Sequence, residues 1–241
     1  MDLSPVDLLV FGPHTDDLEI GVGGTIAKQV ALGHRVGLCD LTCGELGSNG
    51  TPEERVAEAD AARAVLGAAW RVNLGLPDGW LAEDAAQIHA LADLIRACRP
   101  LTIAVPFDGD RHPDHRAASR LVAAAAFKAG LRRYETAHAH WATRSLCAYF
   151  INDSIAPSFV VDVSEHYALK QRALACHRTQ FKPAGHDATE TRLTSPAFAR
   201  LIESRDAQFG ALIGAAYAEG FVVRGPLVRP HLLDPDPVEP T

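Results

Sequence analysis

The stretch Val6-Asp7-Leu8-Leu9-Val10-Phe11-Gly12-Pro13-His14-Thr15-Asp16-Asp17-Leu18-Glu19-Ile20-Gly21 decides how this chain folds. Its first six residues form a short, mostly apolar run closed by Gly12-Pro13, the mark of a buried strand that ends in a loop. Residues 21–32 read as a helix stopped by Gly33, and residues 35–41 as a second strand. Strand, helix and strand in that order form a crossover unit, and the sheet it builds is parallel.

The same rhythm continues downstream. Residues 42–50 are a Gly-rich loop, Pro52 opens a helix rich in Glu and Ala that stops near Gly67, and residues 71–74 are a brief strand before the turn Leu76-Pro77-Asp78-Gly79. Ile88, Leu91, Leu94, Ile95 and Cys98 recur at helical spacing, and residues 101–105 are the next strand. That strand delivers a second polar loop, Pro106-Phe107-Asp108-Gly109-Asp110-Arg111-His112-Pro113-Asp114-His115, ahead of a helix over residues 117–129. Later the order loosens: strands at 146–151 and 159–163, helices at 165–177 and 196–216, and a last run at 220–223. No internal repeat or linker divides the chain. The expectation is an α/β, Rossmann-like three-layer sandwich with a mostly parallel sheet, one domain over residues 1–241, and a proline-rich, acidic, mobile tail from about residue 226. In open sheets of this kind ligands bind outside the carboxyl ends of the strands, where both His- and Asp-rich loops fall.

Composition narrows the function. The chain has 241 residues, 47% of them hydrophobic and 22% charged, which describes a folded protein with a core of its own. Lys+Arg 23 against Asp+Glu 30 leaves a net charge of -7, which disfavours nucleic acid, because a polyanion needs clustered cations. No apolar run approaches the roughly 20 residues that a membrane helix needs. The first ten residues lack the basic region of a secretory signal, so a cytoplasmic location is expected. Five scattered cysteines fit reducing conditions, and the pair Cys39 and Cys43 lacks the two further thiols of a zinc cage.

The chemistry concentrates in the two polar loops. Adjacent aspartates beside His14 at a sheet edge cost folding energy unless something positive neutralises them, and a divalent cation does so economically. His112 and His115 lie three apart with Pro113 set for the start of a helix. A catalytic zinc takes three ligands from His, Asp and Glu and leaves a position for water; His14, one aspartate of the pair and one histidine of the second loop meet that requirement. Taken singly, each feature has a bland explanation in a turn residue, a solvated face or a helix start; their coincidence on two strand ends does not. Gly21-Val22-Gly23-Gly24 is no dinucleotide fingerprint, since the acid-rich segment from Gly12 to Ile20 separates it from the strand. These glycines let the helix approach the sheet.

The two motifs, Pro13-His14-Thr15-Asp16-Asp17-Leu18-Glu19-Ile20-Gly21 and His112-Pro113-Asp114-His115, resemble the signatures of the PIG-L or LmbE-like family of zinc-dependent N-acetylglucosaminyl deacetylases. Thr42-Cys43-Gly44-Glu45, Gly50-Thr51-Pro52-Glu53-Glu54-Arg55, Leu76-Pro77-Asp78-Gly79 and His177-Arg178-Thr179-Gln180 resemble further landmarks in the same order, over roughly residues 6 to 223. Within the family the sequence is most similar to the N-acetylglucosaminyl-malate deacetylases of bacillithiol biosynthesis. The wider family commonly has Pro at the position of Thr15 and no residue equivalent to Leu18 between the aspartates and the glutamate; a tyrosine that some relatives place near the site has no match where Ala197 and Phe198 stand.

The resemblance implies one zinc per chain bound by His14, Asp17 and His115, Asp16 as general base, His112 as an imidazolium that meets the oxyanion, Asp114 orienting His112, and Arg55 gripping the substrate. It implies hydrolysis of the acetamide of a small sugar conjugate to acetate and a free amine. Other conjugates, linked to inositol, lipid or a chitin fragment, are the alternatives within the class. A non-catalytic zinc module is the alternative outside it, disfavoured because an unliganded Asp16 would then add only repulsion. A homo-oligomer is compatible with this reading.

Overall fold

The computed structural model describes residues 3–184 and 188–227. In chain order the elements are β1 (Leu8–Gly12), α1 (Asp17–Ala31), β2 (Val36–Asp40), α2 (Pro52–Leu66), β3 (Trp70–Asn73), α3 (Ala85–Cys98), β4 (Thr102–Pro106), α4 (Pro113–Gly130), β5 (Ser145–Tyr149), β6 (Phe159–Asp162), α5 (Tyr167–Leu174), α6 (Arg178–Phe181), α7 (Pro196–Ala211) and β7 (Ala218–Val222). A single turn of 3-10 helix, Ser164–His166, precedes α5. The strands form a seven-stranded sheet in the order β3-β2-β1-β4-β5-β7-β6. β3, β2, β1, β4 and β5 are parallel, whereas β7 runs antiparallel to both β5 and β6. The expected mostly parallel α/β sheet is present.

The core follows from strand alternation. Leu9, Phe11, Ile103 and Val105 turn to one face and pack with Leu91, Ile95, Leu121 and Val122 of α3 and α4. Val10, Leu38 and Ala104 turn to the other face and pack with Ile20, Ile26, Ala62 and Leu66 of α1 and α2. Both faces are covered, which is why β1, β2 and β4 are nearly continuous apolar runs. The glycines of α1 have the role expected of them. A Cβ at Gly21 would stand 2.3 Å from Tyr149 Cδ2, so the helix can lie this close to β5 only without one.

Several boundaries differ from expectation, α4 among them, which begins a turn early at Pro113. α1 begins at Asp17, one turn before Gly21, with Asp17 and Glu19 in the first turn, where the positive end of the helix dipole favours acids. The helix expected over 165–177 is shorter: a 3-10 turn precedes it, α5 ends at Leu174, and His177 is non-helical with its ring toward Glu19, Nε2 to Oε2 3.1 Å. α7 ends at Ala211, and the chain folds back so that Ala215 N donates to Gly210 O at 3.0 Å. The tail expected to be mobile lies, from Val228 onward, outside the described residues.

β2 and β4 flank β1 on opposite sides, so the chain reverses its direction of travel across the sheet between β1 and β4. A crevice at the carboxyl ends follows from that reversal. The loops that open it are those carrying His14 and His112.

Candidate active site

Pro13 leaves β1 with its carbonyl held by Thr42, whose N and Oγ1 donate to it at 3.0 and 2.9 Å. His14 N then donates to Asp17 Oδ2 at 3.0 Å, closing the loop onto the first residue of α1. The same carboxylate oxygen lies 2.9 Å from His14 Nδ1 and 3.3 Å from His115 Nε2. His14, Asp17 and His115 thus bring three ligating atoms within 4.8 Å of one another.

Each histidine presents its other nitrogen to a further carboxylate. His14 Nε2 is 3.1 Å from Asp78 Oδ1, and His115 Nδ1 is 3.1 Å from Asp110 Oδ1. Asp78 is fixed in turn by Leu46 N at 3.0 Å, and Asp110 by Asn152 N at 2.8 Å and Nδ2 at 3.0 Å. Carboxylates behind both histidines are what metal ligands use to fix ring orientation and raise basicity. The electrostatics agree. Burial works against a charge on His14, yet the carboxylates of Asp114, Asp17 and Asp78 outweigh it and raise its pKa well above the imidazole range. His115, also buried, is raised to about 9 by Asp17 and Asp110. Asp17 is held well below the carboxylate range against its burial, chiefly by His115 and His14. This cluster calls for positive charge, and its donor set of two imidazoles and a carboxylate suits a divalent ion such as zinc.

Asp16 stands beside this cluster. It is 3% exposed, and its Oδ2 is buried without a hydrogen-bond partner. The nearest cation is Arg55, whose Nη2 lies 3.6 Å away. Arg55 is itself buried and donates from Nη1 to Gly44 O at 2.6 Å. Gly44 has φ +67°, and a Cβ there would meet Arg55 Nη1 at 2.0 Å, so glycine is required on both counts. A solvated pairing of Arg55 with its helix neighbours is ruled out, since Glu54 closes a capping box with Thr51 and Glu58 accepts from Thr179.

His112 caps α4. Its Nδ1 accepts from Asp114 N at 3.2 Å, which leaves the proton of the neutral ring on Nε2. Burial and the neighbouring His115 and His14 lower its pKa. Here the structure corrects an expectation. The Asp114 carboxylate does not hold the His112 ring; it accepts from Gly79 N at 2.8 Å and lies 3.5 Å from His14 Nε2. Orientation of His112 comes from the Asp114 amide, and the geometry favours a neutral donor over an imidazolium.

These groups share a cavity of about 480 Å³, whose outer wall carries Arg111, Gln180, Thr191, Arg192 and Phe198. Phe198 lines it with a ring that carries no hydroxyl. Motif reading singled out His14, Asp16, Asp17, Arg55, His112, Asp114 and His115, and all seven line the cavity. It assigned no role to Asp78, Asp110 or Asn152; the first two lay in plain view in the Leu76–Gly79 turn and the second polar loop. All five cysteines are free, and Cys43 Sγ donates to Asn73 Oδ1 at 3.4 Å.

Residues 9–126 match the family model of PIG-L, described as GlcNAc-PI de-N-acetylase. Over that stretch the chain resembles the PIG-L family. A diacetylchitobiose deacetylase from Thermococcus kodakarensis is 28% identical to this chain, over 88% of it and 81% of the relative. A 1D-myo-inositol 2-acetamido-2-deoxy-alpha-D-glucopyranoside deacetylase from Segniliparus rotundus is 29% identical, over 73% of this chain and 77% of its own. Among solved structures, the conserved protein TT1542 from Thermus thermophilus superposes with a TM-score of 0.85 at 40% identity, covering 93% of this chain and 97% of that one.

Proposed function

We propose that this chain is a PIG-L-type deacetylase of N-acetylglucosamine-type substrates in which His14, Asp17 and His115 hold one zinc ion and Asp16 is the general base. It is an enzyme of the amide-hydrolase class. One observation carries the reading: three ligating atoms lie within 4.8 Å of one another, and Asp16, whose Oδ2 accepts no hydrogen bond, lines the same cavity. When bound, the ion supplies Lewis acidity toward a carbonyl oxygen and a water. Asp16 takes the proton of the attacking water and returns it to the leaving amine, for which its freedom from other hydrogen bonds suits it. His112 donates from Nε2 to the oxygen that gains charge, and being neutral it needs no prior protonation.

His112→Ala is expected to depress kcat by about 10²-fold or more while changing KM little, because the charge His112 meets develops only in the transition state. Steady-state kinetics at equal metal content check this, and an intact kcat would remove His112 from the mechanism.

For the substrate, N-acetylglucosaminyl-malate is the reading we favour. It rests on the Asp110-Arg111-His112-Pro113-Asp114-His115 run and on three arginines, Arg55, Arg111 and Arg192, lining a cavity whose floor is acidic. A malate aglycone presents two carboxylates, and guanidinium groups hold carboxylates bidentately. The wild-type enzyme is expected to show a higher kcat/KM for the malate conjugate than for the inositol conjugate or for diacetylchitobiose, read by mass spectrometry as loss of acetyl. Arg55→Ala is expected to narrow that gap. Equal kcat/KM for malate and inositol conjugates would overturn the malate assignment and leave the deacetylase.

A further inference from the structure

We propose that Arg71 is a positioning residue for the catalytic centre, locking the loop that carries Asp16 to the helix that carries Arg55. The proposal rests on the reading of Asp16 as the base. Arg71 enters from β3 beneath the crevice with its side chain 4% exposed. A guanidinium has five N–H donors, and every one is used here. Nε donates to Asp40 Oδ2 at 2.7 Å, and Nη2 to Asp40 Oδ1 at 2.8 Å and to the carbonyl of Thr15. Nη1 donates to Glu19 Oε1 at 2.6 Å and to the carbonyl of Ala59 at 3.0 Å.

Those acceptors belong to four different segments. Thr15 immediately precedes Asp16, Glu19 is in the first turn of α1, Asp40 ends β2, and Ala59 lies one turn beyond Arg55 on α2. Arg71 has no donor left for a ligand, so its contribution is geometric. That geometry matters because Asp16 Oδ2 makes no hydrogen bond of its own. With Arg55 its only ion-pair partner among the described residues, Asp16 depends for its position on its backbone, and Arg71 holds that backbone by the Thr15 carbonyl. Through Ala59 the same group sets the distance at which α2 brings Arg55 to Asp16, 3.6 Å. Lysine could neutralise Glu19 and Asp40, but its three donors on one point cannot span all four segments.

The test is Arg71→Lys in the full zinc-loaded chain, assayed by acetate release with metal content and thermal unfolding measured alongside. A misplacement of about 1 Å at a reacting group costs on the order of 10² in rate, so the expected result is a kcat lowered about 10- to 100-fold with KM within about twofold. Zinc content and the folded fraction at assay temperature stay at wild-type levels. A merely structural role would lower kcat only in proportion to folded or metal-bound protein, and that outcome overturns the proposal, as does an unchanged kcat. Should Arg71→Lys fail to fold, Asp40→Asn decides, since the Asp40 side chain accepts only from Arg71 among the described residues and the other contacts of Arg71 remain. A smaller fall in kcat at constant KM and zinc content supports the positioning role, and wild-type kcat overturns it. Absence of acetate release by the wild type would overturn the parent reading and this one together; equal activity of wild type and both variants overturns only the role of Arg71.

Discussion

Asp16→Asn keeps its metal and loses about 10² to 10⁴ in turnover, the usual worth of general acid–base catalysis and about 3 to 5 kcal/mol of barrier. The asymmetry between neighbours makes this prediction sharp. Asp17 Oδ2 is the atom on which His14 and His115 both converge, at 2.9 and 3.3 Å, so Asp17→Asn replaces a ligating anion by a neutral amide and weakens metal binding. Asp16 Oδ2 touches neither histidine within hydrogen-bond distance, and its loss as a base leaves the ligand set whole. Metal analysis beside kcat on both variants separates the roles. Metal lost from Asp16→Asn but kept by Asp17→Asn would reverse them.

The fold was readable because β1, β2 and β4 are short apolar runs that end in Gly12, Asp40 and Pro106, and that pattern has few other meanings. The loops of the site were readable for the same reason: charge placed directly after a buried strand has nowhere to go but the sheet edge. What the sequence hid is spatial. Arg71 looks like one polar residue of a weak strand, yet its five bonds reach four segments up to 56 positions away from it. Asp78 and Asp110 stand in conspicuous turns, but nothing in their spacing says which histidine each will meet. The Asp114 assignment illustrates the limit. Two residues apart at a helix start, His112 and Asp114 suggest a side-chain pair, whereas the helix turn carries the carboxylate away to Gly79 and delivers the amide N–H to His112 instead. The early end of α5 at Leu174 was hidden similarly, since the apolar spacing continues to His177.

Stripping the metal with a chelator is expected to abolish acetate release and to leave the secondary structure in place. The first half follows from the ligand geometry: without the ion, no other group in the cavity supplies the Lewis acidity that amide hydrolysis near neutrality needs, and His112 and Asp16 alone contribute only part of the barrier reduction. The second half follows from where the ligands sit. His14, Asp17 and His115 lie at one end of the sheet, whereas the two hydrophobic clusters that cover its faces contain none of the three. A core of this size does not need a metal to fold, unlike a small zinc module in which binding energy is folding energy. The ion still stabilises by mass action, so the apo protein should unfold at a somewhat lower temperature, with the difference shrinking as the free metal concentration falls. Far-UV circular dichroism, thermal unfolding and acetate release on one chelated and remetallated sample decide the matter. Complete unfolding on chelation would make the metal structural, and undiminished acetate release would make it irrelevant to the chemistry; restored activity on returning one equivalent of zinc per chain is the result expected.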